Sequence, residues 1–294
     1  MPESDTVMLD TIIGLFMLVS PSATNYDKVV QTLQQIEAQN PAAAQVITIG
    51  VNDQGVPIQG LKIGNGPVAS LVVGTHHGNE YGSTAVALGV AESFAKNPVD
   101  GQTVYIIPVL NISGYNRNSR FETGLKGSQD PNRDYSGPCK RGAIFNLKST
   151  KALADLLEEK NIQISATLHT YWPAVAYPWG ISTRDTDIPQ RDQYIELAKA
   201  ATQESNYQVG NSTQLLYAAD GAFEDYAYWK HGIWSLLFEL GFSHSPSPSA
   251  IQTMIEVNVP GIRRFLETSP KQRVTDHLFT GRCDRGVLQR LILE

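Results

Sequence analysis

The chain has 294 residues, 41% hydrophobic and 9% aromatic, enough to build one large α/β domain or two small ones. With a formal net charge of -6 and a pI near 5.5 it offers no basic face to neutralise phosphates, which excludes nucleic acid as an expected partner. No internal repeat, low-complexity tract or long charge run interrupts it.

Residues 8–19 form the most apolar run, and the small residues Ser20, Pro21, Ser22 and Ala23 follow it. This resembles the apolar core and cleavage zone of a signal peptide. The first basic residue is Lys28, however, and Glu3 and Asp5 stand where a positive stretch would be needed, so exported and cytoplasmic locations both stay open. The run is too short for a confident membrane span, and stable membrane insertion is not expected. Cys139 and Cys283 serve either as one disulfide or as two free thiols.

Helical spacing of Val29, Val30, Leu33 and Ile36 predicts a helix over 25–39, stopped by Asn40-Pro41. Residues 46–49 and 57–63 flank Asn52-Asp53-Gln54-Gly55 and read as a hairpin. From there strand and helix alternate: a buried strand ending at Gly74, a helix over 83–96, a strand over 104–109 and a helix over 149–159. A strand over 162–168, a helix over 191–204, a strand over 233–237 and a helix over 250–267 complete the pattern. Buried parallel strands joined by helices need both sheet faces covered, so the expected fold is a three-layer α/β/α sandwich around a mixed, mostly parallel sheet.

The chemistry gathers at the strand ends. After Leu71-Val72-Val73-Gly74 come Thr75-His76-His77-Gly78-Asn79-Glu80, an imidazole and a carboxylate suited to Zn²⁺. On its own that pair reads more readily as a loop histidine beside a solvated glutamate. A catalytic zinc needs a third protein ligand and one position for water. His169, closing the 162–168 strand, is placed to be that ligand, and Glu239, closing an apolar strand, is placed to be a general base. In the loop 130–135, Asn132 and Arg133 combine an amide with a guanidinium that can grip a carboxylate in two-pronged fashion. Arg117 and Arg120 add two more cations after the 104–109 strand.

Taken together, these segments resemble the zinc metallocarboxypeptidases of the carboxypeptidase A family over residues 25–267, nearly the whole chain. Gly74 to Glu80 is similar to the family's Gly-x-x-His-x-x-Glu motif, which makes His77 rather than His76 the ligand. His169-Thr170-Tyr171 and Phe238-Glu239-Leu240 resemble the segments of the third ligand and the catalytic glutamate. Asn132-Arg133 matches the pair that holds the substrate's terminal carboxylate, and Tyr217 stands at the family's distance before the glutamate for a tyrosine that closes over it. The resemblance implies one zinc held by His77, Glu80 and His169. It implies Glu239 as general base and Arg120 as oxyanion stabiliser, with Arg117 as fallback. Asn132, Arg133 and Tyr217 would then orient the end of the substrate, on a carboxypeptidase/phosphorylase-hydrolase-like fold.

Three departures bear on the substrate. Gly78-Asn79 replaces the Ala-Arg of pancreatic members and resembles the branch of murein peptide amidases and acylamino-acid deacylases. Asn111-Ile112-Ser113-Gly114 replaces Asn-Pro-Asp-Gly, a tolerated loop change. Glu224 falls on the position that floors the specificity pocket, where an acid goes with Lys or Arg; alternatively the loop 220–226 shifts and Glu224 or Asp225 faces water. The expected substrate is a peptide with a free terminal carboxylate, preferentially ending in a cationic residue. The alternatives are a murein peptide amidase cutting γ-D-Glu-diaminopimelate and a non-catalytic module that binds peptide ends; a deacylase is disfavoured around Tyr217 and Phe238-Glu239. Residues 1–23 would be a signal or N-terminal apolar segment and 24–268 the catalytic domain, without the propeptide of a digestive zymogen. Residues 269–294 would be a tail, whose Val287-Leu288 and Leu291-Ile292-Leu293 could dock an extra helix.

Overall fold

A computed structural model describes residues 26–284; the apolar run at 8–19 and the 287–293 segment lie outside the described residues. Helix α1 (Tyr26–Gln39) buries Val29, Leu33 and Ile36 of the predicted stripe together with Tyr26, while Val30 is half-buried. The hairpin β1 (Ala44–Val51) and β2 (Pro57–Ile63) follows, then β3 (Val68–Gly74), α2 (Tyr81–Lys96) and β4 (Gln102–Ile107). The short α3 (Ile112–Arg117), the small hairpin β5 (Glu122–Gly124) and β6 (Gly127–Gln129), and a 3-10 turn at Pro131–Arg133 lead to α4 (Lys148–Glu159). The second half runs β7 (Ile162–His169), β8 (Ala174–Tyr177), α5 (Arg191–Ala201), β9 (Gln208–Asn211) and α6 (Ser212–Leu215). It closes with α7 (Phe223–His231), β10 (Trp234–Glu239) and α8 (Pro248–Thr268).

Eight strands form one sheet in the order β1-β2-β4-β3-β7-β10-β8-β9. The centre, β4-β3-β7-β10, is parallel throughout, while β1, β2 and β4 pair antiparallel at one side and β8 runs against β10 at the other. Strands β3, β4 and β7 are buried nearly end to end because both their faces are covered. Helix α8 packs on α2 and α5, while α7 packs on β7 and β10. The three-layer expectation holds.

One alternative falls and one boundary needs correction. The 220–226 segment does not shift into water: α7 begins at Phe223 and buries both Glu224 (7% exposed) and Asp225 (2%). That helix escaped the sequence reading because its buried residues, among them Phe223, Asp225, Tyr228 and His231, cover every face and leave no apolar stripe. Helix α5 stops at Ala201 rather than 204, and a turn over 202–205 leads toward β9. The two cysteines form a disulfide, Cys139–Cys283.

Candidate metal centre

Strand β3 has β4 on one side and β7 on the other, so its C-terminal end is a switch point of the sheet, the usual place for a ligand crevice. There Thr75 takes a positive φ of 59°, unusual for a β-branched residue. The turn is held by its hydroxyl, which donates to the Pro108 carbonyl at 2.9 Å and lies 2.6 Å from Thr84 Oγ1. Gly78 then crosses the start of α3 so closely that a Cβ would sit 2.1 Å from the Gly114 carbonyl carbon. Asn111 ties the two loops by donating to the carbonyls of His76 (3.1 Å) and Arg120 (3.0 Å).

This turn carries His77 and Glu80 to the end of β7, where Glu239 of β10 stands opposite His169 in register. His77 Nδ1 lies 2.6 Å from Glu80 Oε1, and His169 Nδ1 lies 2.9 Å from Glu80 Oε2. The two Nδ1 atoms face each other at 3.2 Å. Two nitrogens bound tetrahedrally to zinc at about 2.0–2.1 Å stand about 3.3 Å apart, so the donor set fits a zinc ion. His77, Glu80 and His169 are also the only group of three among the described residues whose ligand atoms converge as a metal site would require, within 4.8 Å of one another. Burial opposes the charge on Glu80, but the two histidines outweigh it and hold the carboxyl far below its usual range.

A further carboxylate, which no local pattern in the sequence singles out, is Asp130. Its Oδ1 lies 3.1 Å from His77 Nε2 and its Oδ2 accepts from Arg120 at 3.0 and 2.9 Å. It also opens the 3-10 turn, accepting from the Asn132 backbone N–H at 2.9 Å. A ligand histidine needs a partner on its second nitrogen, and that requirement is the signal that could have found it.

Asn132 is buried with Nδ2 at 3.4 Å from His169 Nε2, while its Oδ1 accepts from the Phe223 N–H at 2.8 Å. Arg133 and Tyr217 come together: the guanidinium lies 5.7 Å from the ring centre and donates to the hydroxyl at 3.5 Å, with Tyr217 46% exposed. Arg117 is exposed at the end of α3, whereas Arg120 is half-buried against Asp130. Glu224 accepts from Thr167 Oγ1 at 2.6 Å, 3.9 Å from His169 Nε2. Asp225 turns the other way and accepts the Gly180 N–H with both oxygens, at 2.9 and 3.0 Å; burial pushes its carboxyl up to about 8. Glu239 has a buried Oε2 with no partner among the described residues. Burial first, then Glu80 and Glu224, push its carboxyl well above the usual range.

A buried His₂Glu cluster with an unpaired carboxylate beside it defines a mononuclear metal hydrolase. The zinc carboxypeptidase family model matches residues 29–261, and the chain belongs to that family of zinc metallopeptidases, whose cofactor is one zinc ion. It is 25% identical to carboxypeptidase B of Astacus astacus over 254 residues, 71% of this chain and 82% of the relative. With human carboxypeptidase B it shares 28% identity over 253 residues, 70% of this chain but 60% of that protein's length. Among solved structures, carboxypeptidase A from Helicoverpa armigera superposes with a TM-score of 0.74 at 18% identity, over 87% of this chain and 80% of the other. Murein-tripeptide amidase MpaA from Escherichia coli O157 matches with a TM-score of 0.52 at 14% identity, over 74% and 91%. Both structures speak to the fold.

Proposed function

We propose that this enzyme removes a cationic residue from the C-terminus of peptides. The observation that carries the preference is Glu224, a carboxylate buried on α7 beside His169 and the Asn132-Phe223 contact, where it would face the terminal side chain. A carboxylate so placed favours a Lys or Arg side chain and disfavours an apolar one, which would leave it buried without a counter-charge.

His77, Glu80 and His169 would hold the zinc. When bound, zinc polarises the scissile carbonyl and lowers the pKa of water. Glu239, with a free buried oxygen, takes the proton of the attacking water and hands it to the leaving amine as the C–N bond breaks. Arg120, fixed by Asp130, turns its remaining N–H groups to the negative charge developing on the carbonyl oxygen. Arg133 grips the terminal carboxylate, Asn132 donates to it, and Tyr217 closes from the exposed side. A base placed beside three convergent ligands favours a hydrolase over a module that only binds peptide ends.

A second reading, a murein peptide amidase releasing diaminopimelate, draws support from Gly78-Asn79 and from the likeness to MpaA. Diaminopimelate also presents a cationic end to Glu224. The test is product analysis by mass spectrometry with the zinc-loaded chain. Two peptides differing only in a terminal Lys or Leu are offered beside L-Ala-γ-D-Glu-diaminopimelate, with Glu239→Gln and chelator controls. Release of Lys in preference to Leu, lost in Glu224→Gln, supports the proposal. Release of diaminopimelate alone transfers the enzyme to the second reading, and equal release of Lys and Leu removes Glu224 as selector.

A further inference from the structure

The family match ends at residue 261, yet residues 269–284 run on along the molecule and reach the pocket walls. Arg273 donates to the carbonyls of Ile162 (2.8 Å) and Leu157 (2.9 Å), and Val274 N–H to that of Gly232 (2.6 Å). The segment then meets the 180–185 loop: Thr183 pairs with Cys283, Asp284 N–H donates to Ser182 at 2.7 Å, and Arg282 N–H to Asp185 at 2.9 Å. Cys283 is bonded to Cys139, 144 positions earlier, in the loop that continues from Asn132 and Arg133.

These contacts close a ring. Ser182 donates to both oxygens of Asp220, at 2.7 and 2.6 Å, and Ala219 N–H donates to Gly180 at 2.5 Å. Tyr135 N–H then donates to Gly221 at 3.1 Å, returning to the Cys139 loop. Gly221, at φ +88°, packs so tightly that a Cβ would stand 2.7 Å from the Arg133 carbonyl oxygen. Segments 132–140, 180–185, 219–225 and 282–284 are thus joined end to end, and Arg133, Tyr217 and Glu224 sit on or beside them. His77 and Glu80 lie on a different loop.

We propose that residues 269–284, fastened by the Cys139–Cys283 bond, act as a strap that positions the pocket for the substrate's terminal residue. The proposal rests on the carboxypeptidase reading for its substrate but not for its geometry. Without the bond, the Cys139 loop loses its covalent tie to the 282–284 segment that hydrogen-bonds the 180–185 loop, and the pocket has to be ordered by the substrate at the expense of affinity. The zinc ligands and Glu239 stay in place, so binding suffers and turnover does not.

The test uses the full zinc-loaded chain, comparing the oxidised protein with the Cys139→Ser/Cys283→Ser variant. The native protein is also reduced with a water-soluble phosphine, which takes oxygen from water to become the phosphine oxide while the sulfurs leave as two thiols. KM and kcat are measured on a peptide ending in Lys, and amide hydrogen exchange is followed over the chain. The expected result is a KM raised roughly 10-fold with kcat within about twofold, unchanged zinc content, and faster exchange at 132–140, 180–185 and 219–225. An unchanged KM, or faster exchange confined to 269–284, overturns the proposal. Should the serine variant not fold, reduction of the native protein decides. If the oxidised protein cuts no Lys peptide, the substrate reading fails while the exchange pattern still decides whether the strap holds the pocket.

Discussion

Asp130 Oδ1 lies 3.1 Å from Nε2 of His77, on the nitrogen opposite the one that faces Glu80. The aspartate therefore fixes the ring's tautomer and orientation while its other oxygen fixes Arg120, so one carboxylate braces both the metal site and the arginine proposed for the oxyanion. Asp130→Asn should weaken zinc binding about 10- to 100-fold, read by competition with a chromogenic chelator. Unchanged affinity with unchanged circular dichroism would show that His77 needs no such partner.

Glu239→Gln keeps the shape of the side chain and removes the proposed base. Peptide hydrolysis should fall about 10²- to 10⁴-fold in kcat while zinc content, measured by atomic absorption, stays at one per chain. A variant retaining more than about a tenth of the wild-type rate would assign proton transfer to another group.

Arg133→Lys preserves charge and loses the planar fork. Its KM for a peptide substrate should rise roughly 10- to 100-fold, and blocking the peptide's terminal carboxylate as an amide should cost the variant far less than it costs the wild type. Equal sensitivity of both enzymes to amidation would place the carboxylate elsewhere.

Glu122, fully buried, accepts from Ser149 Oγ at 2.5 Å and leaves Oε1 without a partner among the described residues; burial pushes its carboxyl up to about 8. Between the ordinary carboxylate value and about 8 the native state holds a proton that the unfolded chain has released, so this group lowers stability as pH rises through that window. Glu122→Gln should therefore gain on the order of 2 kcal/mol relative to wild type at pH 9 and little at pH 5, by urea denaturation. An equal difference at both pH values would mean that Glu122 does not titrate across that range.

Gly78→Ala should abolish zinc binding or folding, since its Cβ would fall 2.1 Å from the Gly114 backbone and 2.2 Å from the Tyr115 nitrogen, backbone atoms rather than the end of a flexible side chain. Zinc retained at wild-type affinity would show that the α3 loop can move.

The residues that end strands were legible in the sequence. His77 and Glu80 follow a buried strand and His169 and Glu239 close two others, and parallel strands deliver their last residues to one edge of the sheet. The layered α/β order followed from the same alternation, because period and length are local properties of the chain. What the sequence alone could not decide were relationships between distant segments. Asp130 meets His77 across 53 positions, Glu224 meets Thr167 across 57 and Cys139 meets Cys283 across 144. None leaves a periodic trace, since which loop lies beside which is set by strand order and by the packing of α7, a helix buried on every face. The chain's local pattern determined its strands and the residues at their ends; tertiary packing decided which carboxylate lies against His77, that Glu224 is buried beside His169, and which loops the Cys139–Cys283 bond brings together.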